Sequence, residues 1–355
     1  MSTYNILILG ASYGSLLASK LLFGGHRLTL VCLPAEADLI NAEGFRVRLP
    51  RKGRVGPIEI DSRRLQGKVS ACGPDEVNPK NFDLIGLAMQ EPQYRSAGVR
   101  ELLAAVAKSR VPCMSIMNMP PLPYIRRIPG LDHEALRSAY TDSSVWDGFD
   151  PATLTLCSPD PQAIRPPDEP PNVLQVTLPT NFKVARFDSD QPTAILRALQ
   201  SDIEAVRFDT PEGKVELAVK LKVHDSIFVP LAKWAMLLAG NYRCVTADGM
   251  RTAREAVHTD IETSRAVYEF VNALCVQLGA APSDLVPFDK YAEAALSLTR
   301  PASAARALNN GAANIERADK LVQAIARQKG LSHPVIDATV ALVDQRLEHN
   351  RSQAK

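Results

Sequence analysis

The sequence predicts an α/β chain, with a doubly wound sheet first and an all-α domain second. Three observations predict it. Four short apolar runs, Ile6–Leu9, Leu28–Cys32, Leu84–Ala88 and Cys113–Met117, are bounded by polar or turn residues, as parallel strands buried on both faces are. Between the first two, Ser15–Phe23 carries Leu16, Leu17, Leu21 and Leu22 at helical spacing, which makes a βαβ unit. After about Thr210 the apolar residues recur at three and four, as in Leu217, Leu221, Leu231, Met236 and Leu237, then Val267, Phe270, Val271 and Leu274, then Leu321, Ile325 and Ala326.

The remaining elements follow in order. Phe45–Leu49, a Pro/Lys/Gly turn and Val55–Ile60 read as a hairpin. The stretch 151–171 holds Pro159, Pro161, Pro166, Pro167, Pro170 and Pro171. Proline at that density blocks helix and central strand alike, so it reads as a surface loop or linker, densest over 158–171. Strands are expected at Val173–Leu178 and Phe182–Phe187, a helix near Pro192–Ile203 and a last strand at Val206–Phe208. In the second half Gly279, Gly311 and Gly330 stand where helices stop. Asn350–Lys355 reads as a frayed tail. The expected domains are 1–209 and 210–355.

Composition narrows the function. At 355 residues the chain has room for about two domains. Lys and Arg total 41 against 39 Asp and Glu, a net charge of +2, which argues against a basic nucleic-acid binder. No apolar run approaches the ~18–20 residues that cross a bilayer. The start runs straight into a strand-like segment without a basic leader, so a secretory signal is not expected. The six cysteines are scattered and read as reduced thiols of a cytoplasmic protein. The six histidines show no HExxH or other metal spacing.

Ile6-Leu-Ile-Leu-Gly10-Ala-Ser-Tyr-Gly14-Ser15 is the most informative stretch. A buried strand runs into glycines and a helix begins. Such a turn lets backbone approach a pyrophosphate, and the helix N-terminus offers N–H groups and a positive dipole end. This is a Rossmann-type signal, shortened by one residue, with Ser12 where a second glycine is expected. A structural βα turn that binds nothing is the alternative. The second strand ends Val31-Cys32-Leu33-Pro34 with Glu36 and Asp38 beyond, so neither the acid of an NAD site nor the Arg of an NADP site stands in its usual place. Arg48, Arg51, Lys52 and Arg54 in the next hairpin form a basic cluster that would reach a phosphate only if the hairpin folded over.

The opening LGASYGSLLASKLLFGGHRLTLV and the following LINAEGFRV resemble the first βαβ unit, short helix and hairpin of the ketopantoate reductases (2-dehydropantoate 2-reductases). The two-part architecture is similar over most of the chain, while 130–210 matches only in type of structure. The resemblance implies a divergent member of that family, with a Rossmann domain and a helical domain that closes over the nicotinamide. It implies a cytoplasmic oxidoreductase of pantothenate biosynthesis, using NADP (NADPH) rather than NAD, acting on a small-molecule substrate and assembling as a homodimer.

Site residues carry over one at a time. The turn Gly10, Ala11, Ser12, Tyr13, Gly14 and Ser15 would hold the cofactor. Leu33 and Gln90 stand where the family has an Arg and a Lys near the NADP phosphate, which weakens phosphate selection. Asn118 corresponds to an Asn near nicotinamide and substrate. Lys233-Trp-Ala-Met-Leu237-Leu-Ala-Gly-Asn241 is similar to the stretch holding the proton donor and two substrate-binding Asn residues. Lys233 fits the donor, Asn241 the second Asn, and Leu237 replaces the first. Positions 233, 237 and 241 share one face of a helix, although Lys220 or Lys222 would compete under a shifted alignment. Ala302 falls at a substrate-binding Ser, with Ser303 adjacent. The family Glu falls at Asn314, with Glu316 two residues on, and the choice stays open.

The leading reading is therefore a nicotinamide-dependent reductase of a 2-oxo acid or related carbonyl, with a Lys general acid. The alternatives are an opine-type imine-reducing dehydrogenase and a non-catalytic nucleotide-binding member of the family.

Overall fold

The computed structural model describes residues 2–50, 56–210 and 213–353. Arg51, Lys52, Arg54 and Val55 of the expected hairpin lie outside them.

The chain divides into two compact units. The first comprises residues 1–89, 93–117 and 145–225; the second comprises 90–92, 118–144 and 226–355. The division thus falls later than residue 209 and draws two earlier segments into the second unit.

In chain order the strands are β1 (Asn5–Leu9), β2 (Arg27–Val31), β3 (Arg46–Leu49), β4 (Ile58–Asp61), β5 (Lys68–Cys72), β6 (Leu84–Leu87) and β7 (Cys113–Ile116). After them come β8 (Leu154–Ser158), β9 (Gln162–Ile164), β10 (Val173–Leu178), β11 (Phe182–Ala185), β12 (Phe208–Thr210), β13 (Gly213–Val215) and β14 (Leu221–His224). The main sheet has the order β14-β11-β8-β7-β6-β1-β2-β5. Every pair in it is parallel except β8 with β11. β1 stands between β2 and β6, where successive crossovers leave in opposite directions. That switch point is where open α/β sheets bind ligands, outside the carboxyl ends of the strands.

The central strands β6, β7 and β8 are buried throughout. Leu16, Leu17, Leu21 and Leu22 of the helix Ala11–Phe23 pack on the sheet as the spacing predicts. A smaller sheet, β4-β3-β10-β9, joins the hairpin to the proline-rich region.

The local structure also departs from the sequence reading, and the expected strand Val206–Phe208 falls instead at Phe208–Thr210. The stretch 151–171 is no simple surface loop, because β8 runs through it at the centre of the sheet. Its Leu-Thr-Leu-Cys-Ser hides a buried strand behind hydroxyls. Thr155 Oγ1 donates to the Ala185 carbonyl at 2.7 Å, so burying it costs little. Residues 213–224 are not helical. Val219 takes a positive φ of 65°, which no right-handed helix allows, and the buried Nζ of Lys20 donates to the Ala218 carbonyl at 2.7 Å. β14 then joins β11, and Lys220 and Lys222 fall in the first unit. Finally, 350–353 continue the last helix instead of fraying. Asn350 is buried and donates to the carbonyls of Leu308 and Ala312 at 2.8 and 3.0 Å.

The second unit is helical. Helices Ile261–Gln277, Phe288–Ala295, Ala318–Gln328 and Pro334–Gln353 surround a broken helix that starts at Pro230 and ends at Cys244. Gly279, Gly311 and Gly330 end helices with positive φ, as expected. No described helix is long and apolar enough to cross a membrane.

Candidate functional site

In the first unit the glycine turn has the form a pyrophosphate needs. Gly10 has φ 102°, and a Cβ there would lie 2.8 Å from the carbonyl oxygen of Ala88, just beyond β6. A Cβ at Gly14 would meet the Ile8 side chain at 2.7 Å, so glycine lets the helix sit close on the strand. No side chain caps the helix Ala11–Phe23. Its first N–H groups and positive dipole end are therefore available to an anion. Ser12 is exposed, whereas Ser15 is buried and spends its hydroxyl on the Ser12 carbonyl at 2.8 Å. Tyr13 is half-buried and donates to the Pro161 carbonyl at 2.5 Å. The turn thus fits a dinucleotide despite its shortened spacing.

At the end of β2, Leu33 is 75% exposed and offers no charge. Arg48 of the basic cluster is held by Glu59 at 2.7 Å and Glu169 at 2.6 Å, so it is committed to carboxylates.

In the second unit a cavity of about 20 Å³, the size that holds one water, is lined by Gln90, Asn118, Leu237, Asn241, Ser303 and Glu316, with Tyr242 and Ile315 beside them. Chain segments more than two hundred residues apart meet there. Lys233 is half-buried at the start of the helical turn Lys233–Met236 and is not among the lining residues. The helix does not hold its α-period from 233 to 241. Leu237–Asn241 forms one π-turn, so the expected common face is broken. A distant side chain meets the helix there: Tyr291 Oη donates to the Met236 carbonyl at 3.1 Å, and only glycine at 240 leaves room for that hydroxyl.

Glu316 is the buried charge of the cavity, 8% exposed. Asn118 Nδ2 donates to its Oε2 at 3.3 Å, and the Glu91 N–H lies 3.4 Å from its Oε1. Burial pushes its carboxyl up to about 7, against the hydrogen bonds from Asn118 and the Glu91 and Met119 backbone. An acid poised there can donate or accept a proton near neutrality. Asn314 points elsewhere, its Oδ1 accepting from Arg351 at 3.3 Å. Glu316, not Asn314, is the residue that reaches the cavity.

Two residues that sequence reasoning missed hold Glu316 in place. Tyr242 Oη donates to the Glu316 carbonyl at 2.6 Å and accepts from the Ala318 N–H at 2.9 Å, spanning the turn that carries the carboxylate. Its adjacency to Asn241 was the available signal. Buried Glu91, next to Gln90, accepts from the Thr141 N–H at 3.0 Å and hydroxyl at 2.8 Å. Nothing in the sequence marked it.

Sequence comparison finds no matching family model and no matching curated protein. Structure comparison finds whole-chain matches. A Ralstonia solanacearum protein assigned to the ketopantoate reductases superposes with a TM-score of 0.67 at 14% identity, covering 98% of this chain and 99% of the other. The fold is that of the ketopantoate reductases. The 2-dehydropantoate 2-reductase of Methylococcus capsulatus gives 0.59 at 15% identity, covering 98% and 97%. The ketopantoate reductase of Staphylococcus aureus, described as dimeric, gives 0.57 at 10% identity, covering 98% and 99%. In this ketopantoate reductase fold the mostly parallel sheet carries the glycine turn, and the helical unit carries the cavity.

Proposed function

We propose that this chain is a divergent, nicotinamide-dependent reductase of the ketopantoate reductase type, acting on a 2-oxo acid or a related carbonyl. The nicotinamide, when bound, supplies the hydride. The turn from Gly10 to Ser15 holds the pyrophosphate, and NADPH is preferred to NADH. Asn118, Asn241 and Ser303 offer amide and hydroxyl groups to the substrate. Lys233 gives a proton to the developing alkoxide oxygen. Glu316 orients the Asn118 amide through their hydrogen bond. The protein works in the cytoplasm as a homodimer, in keeping with the dimeric Staphylococcus aureus neighbour.

The observation that carries this reading is the convergence of Asn118, Asn241, Ser303 and Glu316 on one cavity. Each was nominated from a separate stretch of sequence. The test is a titration of purified protein with NADPH and with NADH, followed by nucleotide fluorescence. A screen of 2-oxo acids and paired imines then uses Lys233→Ala as control. Saturable micromolar binding and turnover of a 2-oxo acid support the reading; binding of neither nucleotide overturns it.

A non-catalytic, nucleotide-binding member is the second reading. It is favoured by the small volume of the cavity and by the absence of Lys233 from its lining. Nucleotide binding without turnover across the screen would establish it.

A further inference from the structure

The proline-rich segment carries a guanidinium to the carboxyl end of β2. Arg165 directly follows β9, and its Nη2 donates to Glu36 Oε1 in the first turn of the helix Pro34–Glu43. Its charge also acts on Cys32, where it favours the thiolate against the burial that pushes that thiol up to about 12. The segment is fastened on both sides. Pro161 receives the Tyr13 hydroxyl from the glycine turn, and Glu169 receives Arg48 from β3. The glycine turn itself touches the end of β2, since the Gly10 N–H donates to the Val31 carbonyl at 2.9 Å.

This place has a defined job in dinucleotide folds. An acid there takes the ribose hydroxyls of NAD, and a nearby Arg takes the 2′-phosphate of NADP. Leu33 supplies neither. Arg165 is suited to the second task. Its side chain is 32% exposed while that of Glu36 is 12% exposed, so the acid is the inner partner and the guanidinium the outer one. A guanidinium has five donors in a planar fork. Glu36 takes one, which orients the fork and leaves further donors for a phosphate monoester.

We propose that Arg165, delivered by the proline-rich segment and oriented by Glu36, binds the 2′-phosphate of the adenosine ribose and sets the preference for NADPH. The proposal rests on the dinucleotide reading above. The sequence hides this residue because it lies more than 130 positions from β2, in a stretch that reads as loop.

The test is equilibrium binding to the full chain, without turnover, of NADPH, NADH, adenosine 2′,5′-bisphosphate and adenosine 5′-monophosphate. Wild type should favour the 2′-phosphorylated member of each pair. Arg165→Gln should lose about tenfold to a hundredfold in affinity for NADPH and the bisphosphate. Its affinity for NADH and the monophosphate should stay within about twofold. Glu36→Gln should keep the NADPH preference, since it leaves the guanidinium charge in place. If Arg165→Gln does not fold, Arg165→Lys decides: a preference reduced several-fold supports the proposal, and an unchanged preference overturns it. An equal loss for both nucleotides, or a wild type without preference, overturns the role of Arg165 while the dinucleotide reading stands. A wild type that binds neither dinucleotide overturns both.

Discussion

Glu316 accepts a hydrogen bond from the Asn118 amide at 3.3 Å, across 198 residues of chain. The pair joins a residue that follows a central strand to one in an irregular segment before the helix Ala318–Gln328. Glu316 is buried, so removing the Asn118 amide leaves its carboxylate short of a partner.

The buried acid makes stability depend on pH in a stated direction. Its folded pKa, about 7, lies above the ordinary carboxylate value of 4.5. The native state therefore binds the extra proton between those values. Its contribution is full below pH 4.5 and is lost as pH rises to about 7. Glu316→Gln removes that loss. Urea denaturation should show the variant gaining on wild type between pH 5 and pH 8, by a difference of order 3 kcal/mol.

Tyr242→Phe deletes a hydroxyl that serves a buried carbonyl and a buried N–H. The variant should lose about 1–3 kcal/mol in urea denaturation, the cost of unpaired buried groups. It should also weaken substrate binding more than nucleotide binding, because the segment it releases carries Glu316. Equal effects on both would point to general destabilisation.

Lys233→Ala should lower kcat by about 10²–10⁴-fold at neutral pH if Lys233 is the general acid. KM should change little, since a group that protonates the developing alkoxide acts in the transition state and not on the bound ground state. A KM effect without a kcat effect would assign the proton to another group, and the pH–rate profile of a Glu316→Gln variant would then identify it.

Gly10→Ala places a methyl group 2.8 Å from the Ala88 carbonyl at a backbone angle that alanine rarely adopts. Nucleotide affinity should fall by more than about tenfold, with about 1–3 kcal/mol lost from stability. Ser12→Gly, which moves the turn toward the usual glycine pattern, should leave both within about twofold. The two variants measured side by side by nucleotide fluorescence distinguish a cradle from a plain turn.

The sequence by itself determined the class of the fold and most of its pieces. Periodicity of two kinds separates the sheet half from the helical half, because a strand covered on both faces and a helix covered on one leave different apolar patterns. The glycine turn was readable for the same local reason: only glycine meets its backbone angle and its close approach to Ala88. Asn118, Asn241 and Ser303, which line one cavity, were nominated through short stretches of resemblance, each local. What only the tertiary structure decided was long-range. Glu316 rather than Asn314 reaches the cavity because Tyr242 grips the segment from a distant helix. Leu154–Ser158 is an inner strand because the Thr155 hydroxyl, which looks solvated, is satisfied by the Ala185 carbonyl of the neighbouring strand β11. Leu237 and Asn241 are set by a π-turn that Tyr291 imposes from outside. Arg165 stands at the end of β2 because a salt bridge crosses from one segment to another. Local propensity acts over a few residues, whereas these partners are chosen by the packing of elements far apart in the chain, which no short stretch of sequence contains.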